Sequence, residues 1–72
     1  MILTTAQQAE NQRLIRRKEV QSKTGLGASS IYAMMKNGTF PKCLKLSERR
    51  VAWIESEVDQ WIADRIAQHG EA

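Results

Sequence analysis

The sequence predicts a mainly α fold with one small β-hairpin: a winged helix-turn-helix of three short helices and a two-stranded wing. Three observations carry this. Thr24-Gly25-Leu26-Gly27 reads as a tight turn between two short helices, which is how a helix-turn-helix is built. Asn37-Gly38 stops the second helix, and Phe40-Pro41 leads into two short runs, 42–46 and 51–54, spaced as a hairpin. Behind the hairpin, Val58, Trp61, Ile62 and Ile66 recur at helical spacing and predict a third helix with one apolar stripe.

The elements follow in order. Residues 1–12 are rich in Thr, Gln and Ala with no sustained apolar period, and are expected to form a flexible tail. Leu14-Ile15 reads as a brief extended segment or an anchor onto the core. Residues 16–23 form a short helix in which only Val20 is clearly apolar; Gly25 suits its left-handed C-terminal cap. The second helix is expected over 28–36, with Gly27 at the N-cap. Ile31, Met34 and Met35 mark its buried side, leaving Ser29, Tyr32, Ala33 and Lys36 outward. Pro41 opens the first wing strand, where a missing N–H is tolerated, and Ser47-Glu48-Arg49-Arg50 is expected as a four-residue loop with two arginines at the tip. Ser56 with Asp59 three residues on predicts a capping box opening the last helix, which is expected to fray near His69. The domain so defined spans 13–68, with a second flexible tail at 69–72. Trp53, Trp61, Phe40, Val20, Ile31, Met35, Leu46, Val58 and Ile62 are its expected core.

Seventy-two residues hold one small domain. No apolar run reaches the roughly 20 residues that cross a bilayer, and the polar start lacks a signal-peptide core; a cytoplasmic, nucleoid-associated protein with no membrane partner is expected. The lone Cys43 has no internal disulfide partner and no metal-ligand set around it, so neither a metal nor a small-molecule cofactor is expected. The one histidine, His69, lies near the C-terminal end and far along the chain from Cys43. With no base beside a nucleophile, catalysis is not expected.

Charge is distributed unevenly. Residues 13–50 carry ten Lys/Arg against two acids, whereas 51–72 carry one base against five acids. A basic half coinciding with the turn-helix-hairpin segment points to nucleic acid. Leu26, Ser29-Ser30-Ile31-Tyr32, Met35, Gly38, Phe40-Pro41-Lys42, Lys45-Leu46, Val51-Ala52-Trp53 and Ser56-Glu57-Val58 closely resemble the AlpA-type prophage regulators. The resemblance covers roughly residues 13–67. It implies a winged helix-turn-helix related to the MerR and excisionase folds, and a double-stranded DNA-binding regulator encoded in an integrated element, typically controlling an integrase gene. The rival readings are an excisionase that bends attachment-site DNA, a small protein-binding adaptor and an RNA binder.

Two groups of residues are candidates for the DNA contact. Ala28, Ser29, Ser30, Tyr32, Ala33 and Lys36 on the second helix face base edges and flanking phosphates. Arg16, Arg17, Lys18 and Lys23, with Arg13 before them, and Lys42, Lys45, Arg49 and Arg50 on the wing are candidates for backbone contact. Relatives resembled here usually carry Arg at the positions of Ala28 and Ala33 and Ser at that of Gly27. Loss of both arginines implies weaker direct readout, or readout through thymine methyls and DNA shape. Self-association on DNA is expected to supply the missing affinity, with the free protein mainly monomeric.

Overall fold

The computed structural model describes residues 12–71; the expected tail at 1–12 lies almost wholly outside them. The chain order is β1 (Leu14–Ile15), α1 (Arg17–Thr24), α2 (Ala28–Asn37), β2 (Leu44–Ser47), β3 (Arg50–Ile54) and α3 (Glu55–Glu71). This is the expected winged helix-turn-helix, with one addition. The first two-residue segment is a third strand, so the sheet order is β1-β3-β2, antiparallel throughout, with Leu14 opposite Ile54 and Ile15 opposite Trp53.

Glycine ends both short helices in the left-handed region, Gly25 at φ 75° and Gly38 at φ 79°, where a Cβ would be strained. Gly25 donates its N–H to Gln21 O at 2.7 Å and Thr39 donates to Met34 O at 2.8 Å, satisfying the last carbonyls of each helix. Thr24 closes the intervening turn, its hydroxyl donating to Val20 O at 2.8 Å and accepting from the Leu26 N–H at 3.2 Å. Three residues, Gly25 to Gly27, therefore separate the helices.

The core is Ile15, Val20, Ile31, Phe40, Trp53 and Val58, with Ala52 also buried. The three helices, β1, β3 and the segment before β2 each contribute to it, whereas β2 contributes no buried side chain. Trp53 is wholly buried and donates its indole N–H to Pro41 O at 3.1 Å; Trp61, at the core edge, donates to Thr39 O at 2.7 Å. Phe40 meets Trp61 edge-on, with ring centroids 4.9 Å apart. Such pairing leaves no orphan indole donor.

Several expectations are corrected. Leu46 was placed in the core but is 46% exposed. Lys45 pairs with Val51 and Ser47 with Arg50, so Leu46 is the extra residue of a bulge and has no partner on β3. The wing turn holds two residues, Glu48 and Arg49, rather than four, and β2 starts at Leu44 rather than at residue 42. Ile66 was expected to face inward and is 65% exposed, because α3 outruns the core beyond Ile62. Met34 and Met35 only pack against the core from its margin. The last helix begins at Glu55 and runs to Glu71, so residues 69 to 71, expected as the start of a flexible tail, are helical. Asp59 does not cap it; its carboxylate pairs with Lys23 at 2.7 Å. Among the described residues no helix is long and apolar enough to cross a membrane.

Glu55 ties three elements together. It accepts from Arg13 Nε at 3.1 Å and from Lys23 Nζ at 2.9 Å, while its own N–H donates to Arg13 O at 2.7 Å. Arg13 also pairs with Glu19. Hydrogen bonds from Lys23 and then Arg13 hold the Glu55 carboxyl below the ordinary glutamate range. A depressed carboxylate stabilises the fold above its unfolded pKa and loses that contribution as pH falls through its folded value. Glu55→Gln is therefore expected to lower Tm at neutral pH, with the gap to the native protein closing in acid below about pH 4.5. Thermal melts at several pH values check this; an unchanging gap across the acid range would overturn it.

Candidate nucleic-acid interface

The second helix presents a polar outer face because its apolar side is committed. Ile31 is fully buried, and Met34 and Met35 pack at the core edge, so Ser29, Ser30, Tyr32, Ala33 and Lys36 are exposed, as expected; Ala28 is half-buried at the first turn. Tyr32 is 41% exposed and its ring leans on Trp53, centroids 6.3 Å apart and tilted by 57°. A tilted pair at this separation lies within the favourable range for two aromatic rings.

Two clefts open on either side of Tyr32. One is walled by Arg16, Arg17, Lys18, Tyr32, Arg49 and Val51, so the start of α1 meets the wing turn there. It contains four cations and no acid. Concentrating four like charges in one concavity raises the local positive potential and favours a polyanion. The other is walled by Tyr32, Met35, Lys36, Lys42 and Cys43. Residues 16 to 18 and 49 are far apart in sequence; the packing of α1 against β3 brings them together.

The remaining candidates divide. Lys45 is the cross-strand partner of Val51, so its side chain shares the face that borders the first cleft. Arg50 opens β3, and strand alternation directs it to the face opposite Val51. Lys23 lies elsewhere, in a groove with Leu26, Met34, Trp61 and Ile62, and its ammonium is held by Glu55 and Asp59. Hydrogen bonding to Asp59 and Glu55 raises its pKa and keeps it charged for that internal role. Arg13 is likewise occupied by Glu19 and Glu55. Sequence reasoning did not name Val51, Met35 or Cys43 as cleft walls. Only the strand register, which sets Val51 across from Lys45, carries a signal for any of them.

A short turn-linked helix with an exposed outer face, followed by a basic hairpin and bordered by cations on both flanks, defines a winged helix-turn-helix of the kind used by regulatory proteins. Comparison with known proteins agrees: residues 13–66 match the family described as "Prophage CP4-57 regulatory protein (AlpA)". The chain belongs to the AlpA family. It is 43% identical over 56 residues to Uncharacterized protein ORF88 of Enterobacteria phage P4, a match covering 78% of this chain and 64% of that one. It is 36% identical over 59 residues to the DNA-binding transcriptional activator AlpA of Escherichia coli K12, covering 74% of this chain and 84% of the relative. The chain thus spans a little under two thirds of the phage P4 protein's length.

Proposed function

We propose that this protein is a sequence-specific double-stranded DNA-binding regulator of a prophage or other integrated element, acting on an integrase or neighbouring gene in the cytoplasm. The observation that carries the reading is the convergence of Arg16, Arg17, Lys18 and Arg49 on one side of Tyr32 and of Lys36 and Lys42 on the other. Two cationic flanks about an exposed helix face suit the two phosphate ridges that border a major groove. The family's description as a prophage regulatory protein and the name of the E. coli relative support the same reading. A single short helix lacking arginine at positions 28 and 33 falls short of the affinity of about 10⁻⁸–10⁻¹¹ M usual for specific sites. Two or more copies on neighbouring sites would make up the difference through linked binding.

Genome-wide immunoprecipitation of the bound DNA tests the proposal. Occupancy at a promoter within the element is expected. Occupancy confined to attachment sites would replace it with an excisionase role, and absence of discrete sites would overturn sequence-specific regulation.

The wing supplies a second check. Arg49→Ala combined with Arg50→Ala is expected to weaken binding to all duplexes to a similar extent, since backbone contacts carry no sequence information. Titrations against a selected duplex and an unrelated one measure this. A folded double variant that keeps full affinity would remove the wing from the interface.

A further inference from the structure

We infer that Tyr32 reads a thymine methyl group in the major groove, and that the protein's sequence preference rests on such apolar contacts rather than on bidentate hydrogen bonds to guanine or adenine. The inference rests on the DNA-binding reading above and adds the chemistry by which a base would be chosen.

The position of Tyr32 is the first ground. It is the residue common to both basic clefts, with Arg16, Arg17, Lys18 and Arg49 on one side and Lys36 and Lys42 on the other. If the two cationic flanks meet the phosphate ridges of a groove about 12 Å wide, the residue between them lies over base edges. A phosphate contact by the Tyr32 hydroxyl would require it to stand at a flank.

The second ground is the composition of the face around it. Direct readout of guanine uses Arg or Lys, and that of adenine uses Asn or Gln. The outward positions of α2 hold Ser29, Ser30, Tyr32, Ala33, Lys36 and Asn37, the last of these being the final helical residue, next to the Gly38 cap and past the turn that Tyr32 and Ala33 occupy. Lys36, the one long donor, borders the second cleft beside Lys42 and so belongs to a flank. What remains at the centre is the ring of Tyr32 and the methyl of Ala33, one turn of apolar surface flanked by hydroxyls. The only base feature in the major groove that such a surface can recognise is the C5-methyl of thymine. The contact of Tyr32 with buried Trp53 supports the ring on one side before DNA arrives, which lowers the side-chain freedom to be lost on contact.

The test uses a duplex selected from a randomised pool and an unrelated duplex of the same length. Thymines in the selected duplex are replaced one at a time by uracil, which removes only the methyl group. Affinity is expected to fall about fourfold at one or two positions, the scale of one buried carbon, with the unrelated duplex unaffected. Tyr32→Phe is expected to keep this discrimination, and Tyr32→Ala to abolish it, so that thymine and uracil duplexes are bound alike. Equal affinity for every thymine and uracil duplex would overturn the inference. So would a Tyr32→Phe protein that binds all duplexes more weakly with a shallower salt dependence, which would place the hydroxyl on a phosphate. Failure to bind any duplex at low salt would instead strike the DNA-binding reading itself.

Discussion

Trp53→Ala is expected to unfold the protein rather than strip nucleic-acid affinity from a folded one. The indole is completely buried among Ile15, Val20, Ile31, Phe40 and Val58, and its N–H is bonded to Pro41 O. Truncating a core tryptophan costs about 3–5 kcal/mol. At about 0.05–0.15 kcal/mol per residue a chain of this size has about 4–11 kcal/mol in all. The change removes much of that margin, and leaves the Pro41 carbonyl without its donor as well. Thermal melts should show a Tm far below that of the native protein, with lost binding tracking the unfolded fraction. Trp53→Phe, which keeps most of the apolar area, should fall between the two. A Trp53→Ala protein with native-like melting but no DNA affinity would move Trp53 from the core to the interface.

Salt is the second large effect expected. Each phosphate neutralised releases counterions, and the logarithm of affinity falls with the logarithm of salt by about 0.9 per contact. Arg13 and Lys23 are occupied by Glu19, Glu55 and Asp59. Arg65 sits over the Trp61 ring on α3, which leaves Arg16, Arg17, Lys18, Lys36, Lys42, Lys45, Arg49 and Arg50 as the cations available to DNA. A slope corresponding to about four to seven contacts is expected, so affinity should drop roughly 10²- to 10⁴-fold between 50 and 200 mM salt. Binding isotherms over a salt series measure it directly. A slope near zero would exclude the basic face as the contact surface.

The parts of this fold legible in the sequence are those set by neighbours in the chain. Gly25 and Gly38 terminate their helices where expected, because a left-handed cap is a local demand that glycine meets. The outward set on α2 was legible for the same reason, since helical period depends on nothing distant. The hairpin was legible in outline, but one extra residue at Leu46 turned a side chain from core to solvent. A bulge of that kind answers to twist and strand pairing, not to alternation. Ile66 shows a different limit. Period assigns a side of a helix but not how far along it the core extends, and here the core stops at Ile62.

For the interface, the sequence revealed which segment is basic but not which cations serve it. Arg13 reaches Glu55 across 42 positions and Lys23 reaches it across 32; no local pattern announces either pair. The meeting of α1 with the wing turn likewise exists only once α1 packs on β3. Strand β1 gave a weak signal because two residues are too few for a period, yet pairing with β3 buries Ile15 and anchors the entry to α1.

The segment from Thr39 to Pro41, which leads from α2 to the wing, is held at three consecutive residues. Trp61 bonds the Thr39 carbonyl, Trp53 bonds the Pro41 carbonyl, and Phe40 between them is buried against Trp61. A slack connection would let helix and wing find their contacts separately. This one sets them in a fixed helical phase. Inserting a single base pair between the stretch under α2 and the stretch under the wing would advance the second by about 3.4 Å and rotate it by about 34° around the duplex axis. Residues 39 to 41 cannot follow that movement without releasing a tryptophan, so on the DNA-binding reading proposed above such an insertion is expected to weaken binding to the site.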